Sequence, residues 1–118
     1  QRFLARDSIL AVCRSDSPRL GKVLDISSGG VAFEYVSFAG EDGNLAKGPT
    51  DLEVFETGSS WCLKKASCCI AYDFEVPLGN SFLKNYQVRR CGIQFGELSQ
   101  NQCSQLDSFI KDFRVEPI

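Results

Sequence analysis

Hydrophobic and polar positions alternate with a period of two along most of this chain and change to a period of three to four only near its end. Ser8 to Arg14 is a short apolar run followed by the turn cluster Ser15 to Pro18, and it is expected to form a strand. Arg19 to Ile26 reads as a second strand with Leu20, Lys22, Leu24 and Ile26 on one face. Ser27-Ser28-Gly29-Gly30 then makes a tight turn, its paired glycines permitting positive φ. Val31 to Val36 resumes the alternation, with Val31, Phe33 and Tyr35 on one face, so a hairpin is expected around the turn. Leu52 to Phe55, Trp61 to Leu63 and Ala66 to Val76 also read as strands, the last with Ile70, Tyr72 and Phe74 alternating. Tyr86 to Phe95 is a further strand, in which Gly92 marks a bulge or a bend. Phe38 to Thr50 and Pro77 to Asn85 are loops, the first long, polar and glycine-rich.

The period changes after Ser99. Ser99 and Gln102 have the spacing of a capping box. Cys103, Leu106, Phe109, Ile110 and Phe113 then recur at helical spacing, predicting an amphipathic helix. The expected architecture is an all-β body with one C-terminal helix packed on it.

Composition narrows the function. The 118 residues suit one domain, and 43% hydrophobic with 24% charged residues is the mix of a globular protein. No apolar run is long enough to span a bilayer, and no charged-then-apolar leader opens the chain. An opening at Gln1 without Met reads as a trimmed chain. There is no His, so Ser–His and Cys–His nucleophile pairs cannot form within the chain, and an enzyme is not expected. The net charge of −2 is unevenly spread: +3 over residues 1–22, −6 over 23–60 and +1 over 61–118. That balance argues against a general nucleic-acid binder, yet leaves room for one anionic ligand gripped by the N-terminal arginines. The six cysteines contain no Cys-x-x-Cys pair and no His partner, so a zinc site is not expected. Cys68 and Cys69 would point to opposite faces of a strand. The cysteines read as free, packing residues in a reducing cytoplasm.

Two short patterns carry candidate chemistry. Arg2 and Arg6 lie four positions apart in Arg2-Phe3-Leu4-Ala5-Arg6, ~13 Å in extended chain, a span that suits two phosphates or two flat bases. A guanidinium can fork onto phosphate oxygens and can also stack on a purine. The second pattern is Asp25-x-Ser27-x-x-Gly30 at the end of a strand. A carboxylate accepts two hydrogen bonds side by side, which matches the N–H and NH₂ of guanine and not the edge of adenine. Ser27 can donate to a phosphate or a purine acceptor, and Gly30 leaves space for a ligand near the backbone. Each pattern alone also has a plain reading: a solvated arm, and a hairpin whose Asp and Ser bond the local backbone. Arg14 and one of Arg89 or Arg90 are further candidates for ligand contact. Trp61 reads as partly buried core, and Lys64-Lys65 as a solvated strand edge.

Taken in order, the arginine pair before the first strand, the Asp-x-Ser-x-x-Gly turn after the second, and Arg90-Cys91-Gly92-Ile93-Gln94-Phe95 leading into the helix resemble the PilZ family of bacterial cyclic di-GMP receptor domains. The resemblance runs from Arg2 to about Phe113. It implies a mainly β fold, a six-stranded antiparallel β-barrel with a C-terminal α-helix, in a single domain over 1–118. Within it, residues 1–7 are expected to be a flexible arginine-bearing segment, 8–96 the barrel and 99–114 the helix. It further implies a non-catalytic, cytoplasmic sensor, without cofactor or metal, in which Arg2, Arg6, Asp25, Ser27 and Gly30 bind cyclic di-GMP. Binding would order the N-terminal segment as a switch read by an adjacent domain or a protein partner. No nucleic acid and no membrane insertion are expected. The alternative is an adaptor of the same fold that binds protein and no nucleotide, using the acidic stretch from Ser37 to Glu56 or the helix face.

Overall fold

Inward-facing apolar residues at every second position curl the strands of this chain around a common core. The structure, a computed structural model, describes residues 2–14, 18–38, 49–77 and 86–117. The elements are β1 (Phe3–Ala5), β2 (Ile9–Cys13), β3 (Arg19–Ser27), β4 (Gly30–Phe38), β5 (Pro49–Glu56), β6 (Cys62–Val76), β7 (Tyr86–Phe95), α1 (Gln100–Phe113) and β8 (Arg114–Pro117). Every pairing is antiparallel. The order β2-β5-β6-β7-β4-β3 closes through a β2–β3 pairing, giving the expected six-stranded barrel. β1 then adds to β3, and β8 adds to β1.

The core is filled by Ile9, Ala11, Val23, Ile26, Val31, Phe33, Leu52, Val54, Leu63 and Ile93, with Leu106 and Phe109 pressed in from the helix. The helix begins as expected: the Gln102 backbone N–H donates to Ser99 Oγ at 3.1 Å, and Ser99 N–H donates to Gln102 Oε1 at 2.9 Å. Two side chains, Gln102 and Trp61, dock it. The Gln102 amide donates to the carbonyls of Lys64 and Lys65, and the Trp61 ring stacks on Phe109 at 4.0 Å while its indole N–H donates to the Gln105 carbonyl. Trp61 is thus half-buried core, as its sequence context suggests. Cys103, expected on the apolar face, is exposed.

Bulges account for the places where alternation misleads. Between Val23 and Asp25 the β3–β4 register shifts, so Arg19, Gly21 and Val23 face inward before the bulge and Ile26 after it. Leu20, expected to share a face with Ile26, is 58% exposed whereas Ile26 is buried. On β6, Lys64 and Lys65 form a bulge opposite Glu53, with Lys65 at φ 50°, so the runs Trp61–Leu63 and Ala66–Val76 belong to one 15-residue strand. A second β6 bulge between Ile70 and Tyr72 turns Tyr72 and Phe74 outward, whereas Ile70 faces the core. The irregularity expected at Gly92 therefore lies on the strand opposite it. β8 carries no clear period and is not foreseen in the sequence. Most of the 38–50 loop, at 39–48, and residues 78–85 of the next lie outside the described residues.

One face of the interior is polar. Arg89 donates from Nε to Asp73 Oδ1 at 2.8 Å and from Nη1 to Gln87 at 3.0 Å, and the Tyr35 hydroxyl donates to Asp73 Oδ2. The Arg89 and Asp73 side chains are 9% and 4% exposed. Burial, reinforced by the bond to Asp73, pushes the Tyr35 phenol well above its usual range. Arg90, on the outer face, pairs with Glu34, and Arg14 pairs with Glu53.

All six cysteines are free. Cys13, Cys68 and Cys91 face the interior, and burial pushes the Cys68 thiol up to about 12. Burial and the nearby Glu53 carboxylate push Cys62 up to about 11. Only thiolates react quickly with a thiol-exchange dye. At neutral pH the folded chain should therefore show two fast thiols, Cys69 and Cys103, with four more appearing on denaturation; a third fast thiol in the folded state would contradict this burial pattern.

Candidate functional site

The β3–β4 hairpin builds the site. Ser27 pairs with Gly30, leaving Ser28 and Gly29 as a two-residue connection. Neither Gly29 nor Gly30 adopts a left-handed φ, so the expected reason for these glycines is not the operative one. A Cβ on Gly30 would stand 2.1 Å from the Ile93 carbonyl oxygen, and the close approach of β4 to β7 is what requires glycine there. Gly30→Ala should cost about 1–3 kcal/mol in urea unfolding. An unchanged midpoint would show that the strands separate easily. The turn is tied down by Phe95 N–H donating to the Gly29 carbonyl at 2.9 Å, and by Gly29 N–H donating to Ser27 Oγ at 3.1 Å. A hydroxyl that accepts in this way still carries one proton to donate.

β1 lies along β3 with Phe3 opposite Ile26 and Leu4 opposite Asp25. Alternation therefore puts Arg2, Leu4 and Asp25 on the outer face together. The Arg2 guanidinium donates to the Asp25 carboxylate there, both groups half exposed or less. β8 flanks β1 on its other side, pairing Pro117 with Phe3 and Arg114 with Ala5. The arginine-bearing segment, expected to be free before a ligand arrives, is thus held as a three-residue strand between β3 and β8.

Beside this hairpin is a cavity of 280 Å³ lined by Arg2, Ser27, Gly29, Ala71, Tyr72, Gly92, Ile93 and Gln94. Arg2 and Ser27 line this cavity; Asp25, which accepts from Arg2, and Gly30, which pairs with Ser27, adjoin those two residues but are not in the lining. Arg6 does not line the cavity: its side chain is exposed beyond the other end of β1, and its charge helps hold Glu56 below the usual carboxylate range, after the stronger effect of a bond with Ser8. Arg14, Arg89 and Arg90 are likewise not cavity residues. Tyr72, Gln94 and Ala71 line the cavity without having been singled out by sequence. The usable signal was Gly92, since a glycine inside a strand often marks close approach by another group. Among the described residues, no cluster of His, Cys, Asp and Glu could hold a metal ion, and no helix is long and apolar enough to cross a membrane.

The barrel with its closing helix has the PilZ-type fold, and comparison with solved structures establishes this. The chain is similar to the PilZ domain with c-di-GMP of YcgR from Escherichia coli, at a TM-score of 0.70 and 16% identity, over 96% of this chain and 88% of that one. It is also similar to MrkH of K. pneumonia in its apo state, at a TM-score of 0.65 and 13% identity, over 96% of this chain and 47% of that one. The MrkH–c-di-GMP complex matches at a TM-score of 0.63 and 14% identity, over 95% of this chain and 50% of that one. The chain thus spans about half the length of MrkH. No protein-family model matches the chain, and no curated protein matches it.

Proposed function

We infer that this chain is a non-catalytic sensor domain that binds cyclic di-GMP beside the β3–β4 turn. The observation that carries the reading is that Arg2 and Ser27 line one cavity, with Asp25 bonded to Arg2, in a fold shared with two proteins solved with that nucleotide. Asp25 would accept the N–H and NH₂ of one guanine. Its present donor, Arg2, would then turn to a phosphate or to the face of a base, exchanging one charge-assisted bond for another. Ser27 would donate to a phosphate or purine acceptor. The cavity is at the lower end of ligand sites, which begin near ~300 Å³, so it suits one base, with the rest of the nucleotide lying along β1 toward Arg6.

The signal follows from how little holds β1. Only Phe3 and Leu4 pair with β3, only Phe3 and Ala5 with β8, and Leu4 remains 38% exposed. A ligand bonded to Arg2 and Arg6 adds anchors at both ends of the strand, and a neighbouring domain or partner would read its tighter hold. Calorimetric titration tests the binding: saturable heat with cyclic di-GMP and none with GTP or cyclic di-AMP is expected, and equal binding of all three would refute guanine reading by Asp25.

An adaptor reading draws on a different observation. On the outer face Val36, Val88 and Val76 stand in register across three strands, near exposed Phe38 and Phe74. A protein captured at that face by a chain that ignores the nucleotide would favour the adaptor.

A further inference from the structure

We propose that Tyr72 is the stacking platform of this site, the aromatic surface on which one guanine of the ligand lies, and that Gly92 is glycine so that the ring can occupy that position. The inference rests on the nucleotide reading above and deepens it. Three observations carry it. The β6 bulge between Ile70 and Tyr72 reverses the strand's alternation, so that Tyr72 turns from the core to the cavity wall. In register with Gly92, the ring covers that residue: a Cβ there would stand 2.1, 2.4 and 2.6 Å from three consecutive ring atoms. Tyr72 is nevertheless 39% exposed, and Phe74 stacks beside its ring at 5.5 Å and 28°, steadying it from one side.

An aromatic ring held against the backbone, partly open to water and facing a cavity shared with a guanidinium, has the properties that base stacking needs. Stacking uses the π face and not the hydroxyl, and it discriminates weakly between bases. Specificity would stay with Asp25, while Tyr72 would supply affinity. Arg2 lines the same cavity, so a base on Tyr72 comes within reach of its guanidinium.

A ring that only seals the gap over Gly92 would support stability and leave affinity unchanged. The test therefore reads both. Cyclic di-GMP is titrated calorimetrically into the wild-type chain and into Tyr72→Phe, Tyr72→Leu and Gly92→Ala, each checked by thermal unfolding. Tyr72→Phe should bind within about threefold of wild type, because the π face is kept. Tyr72→Leu should bind roughly 10- to 100-fold more weakly, the loss expected for one stacked base. Gly92→Ala should weaken binding similarly by displacing the ring. The wild-type chain supplies a measurement that needs no variant: the Tyr72 ring proton resonances should move upfield on saturation. Wild-type affinity in Tyr72→Leu, or unmoved Tyr72 resonances at saturation, would overturn the platform while leaving the nucleotide reading intact. Absence of binding by the wild-type chain would overturn both.

Discussion

Asp25→Ala should lose cyclic di-GMP binding by roughly 30- to several-thousand-fold, corresponding to the ~2–5 kcal/mol lost when one partner of a desolvated, charge-assisted pair is removed. In the proposed complex its carboxylate carries two hydrogen bonds to guanine and sits behind the ligand, away from water. Nothing comparable is lost from the free protein. Asp25 lies on the outer face of β3, its side chain 21% exposed, and its visible partner is the half-exposed Arg2. Such a surface pair contributes at most ~1 kcal/mol. The variant should therefore keep its melting transition within a few degrees of wild type while its titration goes flat. Arg6→Ala should also lose binding with the fold intact, because its exposed side chain packs into no core. A well-folded Asp25→Ala chain with wild-type affinity would remove the guanine-reading role.

Arg89→Ala should have the largest effect on folding, about 3–5 kcal/mol. Its side chain lies among β4, β6 and β7, bonded to Asp73 and Gln87. Removing it leaves the Asp73 carboxylate, 4% exposed, with its main counter-charge gone. For a chain of this size the melting temperature should fall by on the order of 10–20 °C. Arg90→Ala is the control. Arg90 neighbours Arg89 in sequence, but its pair with Glu34 is 41% and 27% exposed, so it should cost at most about 1 kcal/mol. Equal melting temperatures for the two variants would mean that the Arg89–Asp73 pair is not buried in solution.

This pair also shows the limit of what the sequence tells. Alternation establishes that Arg89 and Arg90 face opposite ways, and places Phe33 and Tyr35 inside with Val31. It cannot say which arginine faces inward, because a buried arginine is set by a partner 16 residues away, Asp73. The strands of the barrel, the β3–β4 hairpin and the capped helix were legible, because period, turn residues and the Ser99–Gln102 box all act locally. Bulges were not legible. A one-residue insertion at Val23–Asp25 or Ile70–Tyr72 flips every later side chain relative to the earlier ones, so Ile26 is buried while Leu20 is exposed, and Tyr72 moves to the cavity wall. The candidate site was half legible. Arg2, Asp25 and Ser27 stood out as types suited to guanine and phosphate; Arg2 and Ser27 line one cavity, and Asp25 is bonded to Arg2. The opposite wall of the cavity, Tyr72 and Gln94 with Gly92 between them, depends on register across β6 and β7 that no local pattern encodes.

On the proposed reading, one cavity beside the β3–β4 turn binds cyclic di-GMP. Amide NMR shifts of the wild-type chain during titration with that nucleotide test it most directly. Saturable changes should concentrate at Arg2–Arg6, Asp25–Gly30, Ala71–Tyr72 and Gly92–Gln94, with the exposed face of α1 unmoved. A spectrum unchanged at millimolar nucleotide, or changes confined to the helix and the β5–β6 turn, would contradict it.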